Sequence, residues 1–259
     1  CASMCTGESS CVTFSFKVTG NACYHHDVAP GDPRATVSSD AEWVTYVKGV
    51  AATEPSIPTP PADCTDIGEQ GSGYSGGVYT IQPSTGPVEV TCVVDPEGTW
   101  WTAIEIREDN TLSFTRPLAD YIKGFGAATS SYWLGLDVMH AMTSSATYEA
   151  KLVMTTPAGK FSAAYSGFSV DSAPGYNLRY NTFLGGEAGD ALVNFKDQSF
   201  VGSDGHEECS FCSGGWWVEK VNFCCGDTPN SPLNGEALWA SHDDFYLEKF
   251  QILIKRVKE

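Results

Sequence analysis

Hydrophobic and polar residues alternate along many short stretches of the chain, and this two-residue period predicts β-strands. The clearest alternating stretches are residues 12–18, 43–47, 77–81, 88–94, 101–106 and 250–257. Most interior stretches are bounded by glycine, proline or aspartate, which favour turns. Residues 147–154 and 160–165 predict a hairpin that turns around Pro157, Ala158 and Gly159.

Helical patterns are few and short. Residues 117–123 and 190–195 are the better helix candidates, and Cys1 and Cys5 are spaced to share one face of a short helix. The sequence contains no heptad, collagen-like or other internal repeat. The pattern therefore indicates a mixed fold in which strands predominate.

A proline-rich segment divides the chain into two modules. Residues 51–61 read AATEPSIPTPP, and four prolines in eleven residues favour extended backbone and oppose a helix or a central strand. Residues 1–50 are too few for a large hydrophobic core, but they contain four cysteines that can cross-link them. Residues 62–259 are enough for one large domain.

The protein is strongly acidic, with 32 Asp and Glu against 15 Lys and Arg and a formal net charge of −17. This excess disfavours nucleic acids and anionic membranes as partners, because both attract cationic surfaces. The surplus is interpreted either as a solubilising surface or as a docking face for a basic partner, whose binding would weaken with salt. Hydrophobic residues make up 42% of the sequence, so a packed core is expected, and no apolar run is long enough to span a bilayer.

The cysteines indicate an oxidising compartment. Ten cysteines fall into three groups: Cys1, Cys5, Cys11 and Cys23; then Cys64 and Cys92; then Cys209, Cys212, Cys224 and Cys225. Their even number and clustering predict local disulfides in a secreted, extracellular protein. A zinc site in the last group is disfavoured, because two adjacent cysteines are poor ligands for one tetrahedral ion. Since the sequence begins at a cysteine without a signal peptide, we expect a mature or trimmed fragment.

Short motifs follow one another in a fixed order through residues 62–258. They are DCTDI at 63–67, SGGVYTIQP at 75–83, VTC at 90–92, WWT at 100–102, DYIKGFG at 120–126, YWLGLD at 132–137, YNLR at 176–179, AGDA at 188–191, GGWW at 214–217, LNG at 233–235 and the tail at 249–255. This series resembles the fibrinogen-related domains of the fibrinogen C-terminal, ficolin and tachylectin type. The resemblance implies an α+β fold with a small disulfide-bonded sheet, a larger central sheet with short helices, and a loop-rich binding region.

The first module has a second set of motifs. Cys1-Ala2-x-x-Cys5, Cys11-x-x-Phe14-Ser15-Phe16 and Cys23-Tyr24 together resemble a PAN or apple module, N-terminally trimmed. That resemblance implies a small disulfide-stapled α+β unit with two nested bonds, Cys1–Cys23 and Cys5–Cys11.

Catalysis is not indicated. The five histidines are His25, His26, His140, His206 and His242, and the sequence has no nucleophile-elbow, phosphate-loop or metalloprotease motif. His140 lies in an apolar stretch and is expected to be a hydrogen-bonded core residue. We therefore predict a binding protein and not an enzyme.

Residues 203–209, SDGHEEC, carry oxygen-bearing side chains interrupted by glycine, which suits a hard cation such as calcium. Members of the resembled family bind calcium in an acidic loop here, and the resemblance assigns Asp204, His206 and Glu208 as metal ligands. His206 replaces an expected carboxylate, and the loop reaches Cys209 early. An acidic solvated turn is therefore the alternative interpretation.

The resembled family recognises acetylated sugars in a small apolar pocket beside this loop. An acetyl methyl group needs a close apolar slot, and its polar atoms need a few fixed partners. The resemblance assigns the pocket to Phe211, Trp216, Trp217, Cys225 and Phe245. For at least one of the two tryptophans, core packing is the alternative, because GGWW also alternates like a strand.

Several positions of this pocket depart from the family pattern. Val218 stands where a tyrosine usually follows the tryptophans, Val221 stands in place of the pocket cysteine, and Gly226 stands in place of a histidine. The last cysteines are expected to pair as Cys209–Cys225 with Cys212–Cys224, or in the crossed arrangement, and the sequence does not choose between them. The pocket is therefore expected to be remodelled or lost.

Two functions follow from these observations. The first is a secreted recognition protein that binds acetylated glycans or microbial surface ligands with calcium assisting, in innate defence or agglutination. The second is an extracellular protein-binding or structural adhesion module whose sugar site has been lost. Fold alone does not decide between them.

Overall fold

The structure is a computed structural model, and it divides into two compact units, Cys1–Thr59 and Pro60–Glu259. It describes the backbone of residues 13–17, 23–26 and 43–47, and all atoms of residues 60–70, 74–205, 214–218, 228–231, 233, 237, 239 and 246–258. Within these ranges, every helix is too short or too polar to cross a membrane.

The described part of the first unit is a three-stranded antiparallel sheet. Its strands are β1 (Thr13–Lys17), β2 (Cys23–His26) and β3 (Trp43–Val47), with β1 in the middle. The predicted strands at 12–18 and 43–47 are confirmed. The expected helix at Cys1–Cys5 and the pairs Cys1–Cys23 and Cys5–Cys11 lie outside the described atoms.

The second unit is built around one large antiparallel sheet. Its strands are β4 (Gly77–Ile81), β5 (Val88–Val94), β6 (Trp100–Arg107), β7 (Phe125–Gly126), β8 (Tyr132–Trp133), β9 (Tyr148–Thr156), β10 (Gly159–Val170), β11 (Leu178–Arg179), β12 (Thr182–Gly185) and β15 (Lys249–Arg256). The main strand order is β11-β10-β9-β15-β6-β5-β4. A separate pair, β13 (Phe200–Val201) and β14 (Trp216–Trp217), comes from the later part of the sequence.

The last strand of the second unit lies in the middle of this sheet. β15 pairs with β9 on one side and β6 on the other, so Ile252 opposes Leu152 and Glu105. The predicted strands at 77–81, 88–94, 101–106 and 250–257 and the hairpin at 147–165 are confirmed within one or two residues, except that β10 continues to Val170. The sheet cannot be completed until the C-terminal residues are in place.

The helices of the second unit are short. Within the described residues they are α1 (Cys64–Glu69), α2 (Leu118–Lys123), α3 (Leu136–Ser145) and a 3₁₀ turn at Leu192–Asn194. The candidates at 117–123 and 190–195 correspond to α2 and to the 3₁₀ turn. Helix α3, the longest of these, was not predicted, although Leu136, Met139 and Met142 are buried at three-residue spacing, which is a helical signal.

Two motif glycines allow α2 and the start of α3 to approach closely. Gly124 has φ 87°, and a Cβ there would lie 2.5 Å from the carbonyl oxygen of Leu134. Gly135 has φ 110°, and its Cβ would be 3.0 Å from the nitrogen of Gly124. Any other L-residue would be strained at both positions and would force the two backbones apart.

The beginning of the domain is fixed to its end through α1. Cys64 is bonded to Cys92 of β5, with an S–S distance of 1.95 Å. Asp63 caps α1 by accepting hydrogen bonds from the backbone N–H groups of Thr65 and Asp66 at 2.9 and 3.2 Å. The same carboxylate lies 3.3 Å from Nε of Arg256 in the last strand.

Candidate functional site

In the sequence, the predicted binding residues Asp204, His206, Glu208 and Phe211 lie between two short paired strands, β13 and β14. Phe200 opposes Trp217, and Val201 opposes Trp216. The Trp217 ring packs against Phe200 at 5.1 Å and Trp133 at 5.9 Å between centroids, and its Nε1 donates a hydrogen bond to the Tyr176 carbonyl at 2.8 Å. These contacts fix the indole in an aromatic cluster of the core.

The structure corrects the ligand-binding assignment of Trp216 and Trp217. Each residue is only 1% exposed, so neither ring offers a face to a ligand. Trp216 packs against Trp217 at 5.2 Å and against Phe250 of the central sheet at 6.1 Å. Core packing therefore accounts for both residues, because the strand pair is covered by the sheet.

Tyr121 and Asn230 anchor the backbone just before β14. The Tyr121 hydroxyl donates to the carbonyl of Phe114 at 2.6 Å and accepts from the N–H of Gly215 at 3.0 Å. Asn230 Nδ2 donates to the carbonyl of Gly215 at 2.9 Å. Because both polar groups of Gly215 are used, the backbone there is held rigidly.

Arg107 attaches the segment around residue 230 to the central sheet. Its Nη1 donates to the carbonyls of Pro229 and Ser231, the latter at 2.8 Å, and its guanidinium lies 4.5 Å from the centre of the Phe114 ring. Arg107 is only 1% exposed. The segment around residue 230 is thus held by a buried charge of β6.

Several buried polar atoms in this part of the domain lack a hydrogen-bond partner among the described residues. Both carboxyl oxygens of Glu105, together with Arg107 Nε, Trp216 Nε1 and Asn230 Oδ1, are buried without a hydrogen-bond partner among the described residues. Complete burial raises the pKa of Glu105 to about 8, against the opposing effect of the Arg107 charge. The carboxyl group is therefore protonated in the folded domain at neutral pH. Sequence patterning did not identify Glu105 or Arg107.

Asp204 lies at the surface just after β13. Its Oδ1 accepts a hydrogen bond from the backbone N–H of Leu118 at 2.8 Å, so it satisfies the first turn of α2 from a distant part of the sequence. The neighbouring Ser203 N–H donates to the carbonyl of Arg116 at 2.8 Å. The carboxylate is exposed and its position is fixed.

Of the three predicted calcium ligands, Asp204 is the one that lies within the described residues. Calcium takes six to eight oxygen ligands, and Asp204 provides an exposed carboxylate of the right chemistry. No group of three or more His, Cys, Asp or Glu gathers within the described residues. The other predicted ligands, His206 and Glu208, lie outside them, as do Phe211, Cys225, Phe245 and the expected disulfide partners Cys209, Cys212 and Cys224.

His140 has the hydrogen-bonded role expected of it. Its Nδ1 lies 2.8 Å from the carbonyl oxygen of Val170, which connects α3 to the end of β10. The residue is half-buried on the helix. It packs as a structural residue of the fold.

Comparison with known families and proteins gives consistent matches over both units. Residues 60–244 match the C-terminal globular domain of fibrinogen β and γ chains, and residues 1–50 match the PAN domain. The protein is 33% identical to microfibril-associated glycoprotein 4 of Bos taurus over 228 residues, which is 79% of this chain and 89% of the relative. The Homo sapiens protein of the same name is 33% identical over 219 residues, 76% of this chain and 85% of the relative.

Among solved structures, the fibrinogen-like globe domain of human ANGPTL6 is similar, with a TM-score of 0.66 and 28% sequence identity. The match covers 77% of this chain and 97% of that domain's chain.

Proposed function

Because this protein belongs to the family defined by the C-terminal globular domain of fibrinogen β and γ chains, and carries a PAN domain ahead of it, we propose that it is a secreted recognition protein. It binds acetylated glycans or microbial surface ligands, as in innate defence or agglutination, and calcium assists the binding. The observation that carries the proposal is the exposed Asp204 carboxylate, held in place where the backbone leaves β13.

The buried residues that hold β13 and β14 in place suit a recognition site. Tyr121, Trp133, Phe200 and Trp217 form a rigid aromatic cluster under β13 and β14. Arg107 and Asn230 hold the adjoining segment through buried hydrogen bonds. A site on such a support loses little conformational entropy on binding, which favours affinity.

Isothermal titration of the full-length protein with N-acetylated oligosaccharides tests the function. We expect binding in calcium, loss of binding in excess chelator, and no binding of the matched deacetylated sugars, because the acetyl group fills the apolar slot. A glycan array extends the test to microbial polysaccharides. If neither method detects binding in calcium, glycan recognition is wrong.

Calcium dependence has a separate test at Asp204. Saturating calcium should raise the melting temperature of the wild type by about 5 °C or more over chelator, because a ligand bound only to the folded state stabilises it. Asp204→Asn keeps an oxygen for the Leu118 N–H but loses the charge, so it should melt like wild type in chelator and gain little from calcium.

Asp204→Ala is the matched control for this experiment. It removes the hydrogen bond to Leu118 as well, so it should melt below Asp204→Asn in both buffers. An unchanged calcium shift in Asp204→Asn would remove Asp204 from the metal site. A wild type without any calcium shift would remove calcium from the function.

One observation favours the second function, a protein-binding or adhesion module. Trp216 and Trp217, which were predicted to line the sugar pocket, are both buried. Two relatives are named microfibril-associated glycoproteins. Co-sedimentation with purified microfibrils that persists after enzymatic deglycosylation, together with negative sugar titrations, would select this function.

A further inference from the structure

The outer face of the central sheet carries a groove that the sequence did not indicate. Two adjoining cavities of about 300 and 340 Å³ share Val153, Lys160 and Gln251. We call this surface the sheet groove. It crosses β10, β9 and β15, and all of its lining residues belong to the described part of the second unit.

Strand register places the lining residues in rows. Lys160 and Lys249 both oppose Thr155, Ser162 and Gln251 both oppose Val153, and Ala164 and Leu253 both oppose Lys151. Opposed residues share one face of a sheet, and successive rows are two residues apart, roughly 7 Å. The Cα atoms of Lys151 and Lys160 are therefore roughly 14 Å apart, on opposite sides of the middle row.

The middle of the groove is apolar and neutral-polar. Val153 and Leu253 form the floor, with Phe161 at the rim. Ser162 and Gln251 offer a hydroxyl and an amide beside them. Such a lining suits a molecule with apolar faces and many hydroxyl groups, as sugar rings have.

The lysines of the groove differ in their partners. Lys249 forms an ion pair with Glu108 at 2.6 Å, and Lys255, farther along β15, pairs with Glu149 at 2.9 Å. Lys151 and Lys160 have no ion pair within 4.0 Å among the described residues. Both lysines line the groove, so two ammonium groups without an ion pair lie on the same surface.

Asp95 interacts electrostatically with Lys151, but no acidic residue that lines the groove forms an ion pair within 4.0 Å with Lys151 or Lys160. Asp95 accepts hydrogen bonds from the Thr99 N–H and from Trp101 Nε1, both at 2.8 Å. Glu187 also lines the groove and is exposed. The Lys151 ammonium lies 5.7 Å from the centre of the Trp101 ring, which holds it over the groove.

We propose that the sheet groove binds a linear acidic oligosaccharide, one that carries carboxylate or sulfate groups. Lys151 and Lys160 contact successive anionic groups, Ser162 and Gln251 bind hydroxyls, and Val153 and Leu253 contact the apolar ring faces. This site is separate from Asp204 and needs no metal ion, because its cations are side chains.

Surface plasmon resonance of the full-length protein over immobilised heparin oligosaccharides tests the site, with desulfated, N-acetylated and carboxyl-reduced oligosaccharides as the neutral probe. We expect heparin binding to persist in chelator and to weaken with salt. Lys151→Gln/Lys160→Gln should lower affinity at least about tenfold, since each lost charge-assisted hydrogen bond weakens binding substantially. Lys160→Gln alone, at an exposed position, should lower it about threefold.

The double variant Lys123→Gln/Lys196→Gln is the charge-matched control, because neither residue lines the groove. It should bind heparin as the wild type does. Equal loss in both double variants would mean diffuse attraction and overturn the site, as would wild-type affinity in Lys151→Gln/Lys160→Gln.

Polyglutamate distinguishes an acidic peptide from an acidic glycan. Polyglutamate binding without heparin binding would refute the glycan and assign an acidic peptide instead. Heparin binding is measured in chelator, whereas the calcium-assisted binding of acetylated sugars is measured in calcium. A negative heparin result therefore overturns the groove site alone and leaves the proposed function to its own test. Near-ultraviolet circular dichroism verifies that each variant is folded.

Discussion

Glu105→Gln should make the domain more stable at alkaline pH, by on the order of 4 kcal/mol at about pH 8.5. Glu105 is fully buried without a hydrogen-bond partner among the described residues, and burial raises its pKa from 4.5 to about 8. In the unfolded protein the group ionises near its ordinary pKa. Between these two pKa values the folded state binds one proton more, so the free energy of unfolding falls as pH rises.

The pH dependence is the signature of this effect. Below the ordinary pKa of 4.5, wild type and Glu105→Gln should differ little, because the carboxyl is protonated in both states. The difference should grow until about pH 8 and then level off, where both states of the wild type are ionised. Denaturant unfolding of the full-length protein measures this difference in the free energy of unfolding. Tryptophan fluorescence reports on the second unit, since six of the seven tryptophans lie there.

Glu108→Gln is the matched control, since Glu108 directly follows the strand that contains Glu105. Its carboxylate pairs with Lys249 and is 39% exposed, so the variant should show no comparable gain at alkaline pH. Parallel stability curves for wild type and Glu105→Gln between about pH 5 and pH 8.5 would contradict a protonated Glu105 in the folded domain.

Asp63→Ala should destabilise the domain by about 3–4 kcal/mol. The carboxylate is fully buried and caps α1 through the N–H groups of Thr65 and Asp66. It also accepts a hydrogen bond from the Tyr148 hydroxyl at 2.6 Å and forms an ion pair with Arg256 at 3.3 Å. Alanine leaves the buried hydroxyl and the helix N-terminus unsatisfied and removes a partner of Arg256.

Asp63→Asn separates charge from hydrogen bonding. Asparagine retains an oxygen that can cap α1 and an amide that can face Tyr148, so we expect a loss of about 1–2 kcal/mol. Urea unfolding with the Cys64–Cys92 bond intact gives both values. Equal stability of Asp63→Ala and wild type would show that the capped helix does not hold the two ends of the domain together.

Much of the fold could be predicted from the sequence. Strand β4 at Gly77–Ile81 and strand β5 at Val88–Val94 match the alternating stretches residue for residue. Motif order indicated the fibrinogen-related family, which the matched residues confirm. Helix α3 was missed for two reasons. Its apolar spacing overlaps the YWLGLD motif, and its N-cap residue is Gly135, which has no side chain that could cap the helix.

Less of the site could be predicted. Asp204 was singled out as an acidic residue, and it is exposed, but its hydrogen bond to Leu118 joins positions 86 residues apart. Glu105 lies in a strand whose alternation would place a polar residue toward solvent. It is nevertheless fully buried, and two residues along the same strand Arg107 binds the carbonyl of Ser231.

The amino-acid sequence alone determined the strand period, the two-module organisation and the family, because all three depend on local patterns and on their order. Only the tertiary structure decided which face of each strand is covered, since alternation separates two faces without showing what packs on either. Trp216 and Trp217 therefore proved to be core residues. Lys151, Lys160 and Lys249 met on one surface for the same reason, because the pairing of β15 with β9 joins segments about a hundred residues apart.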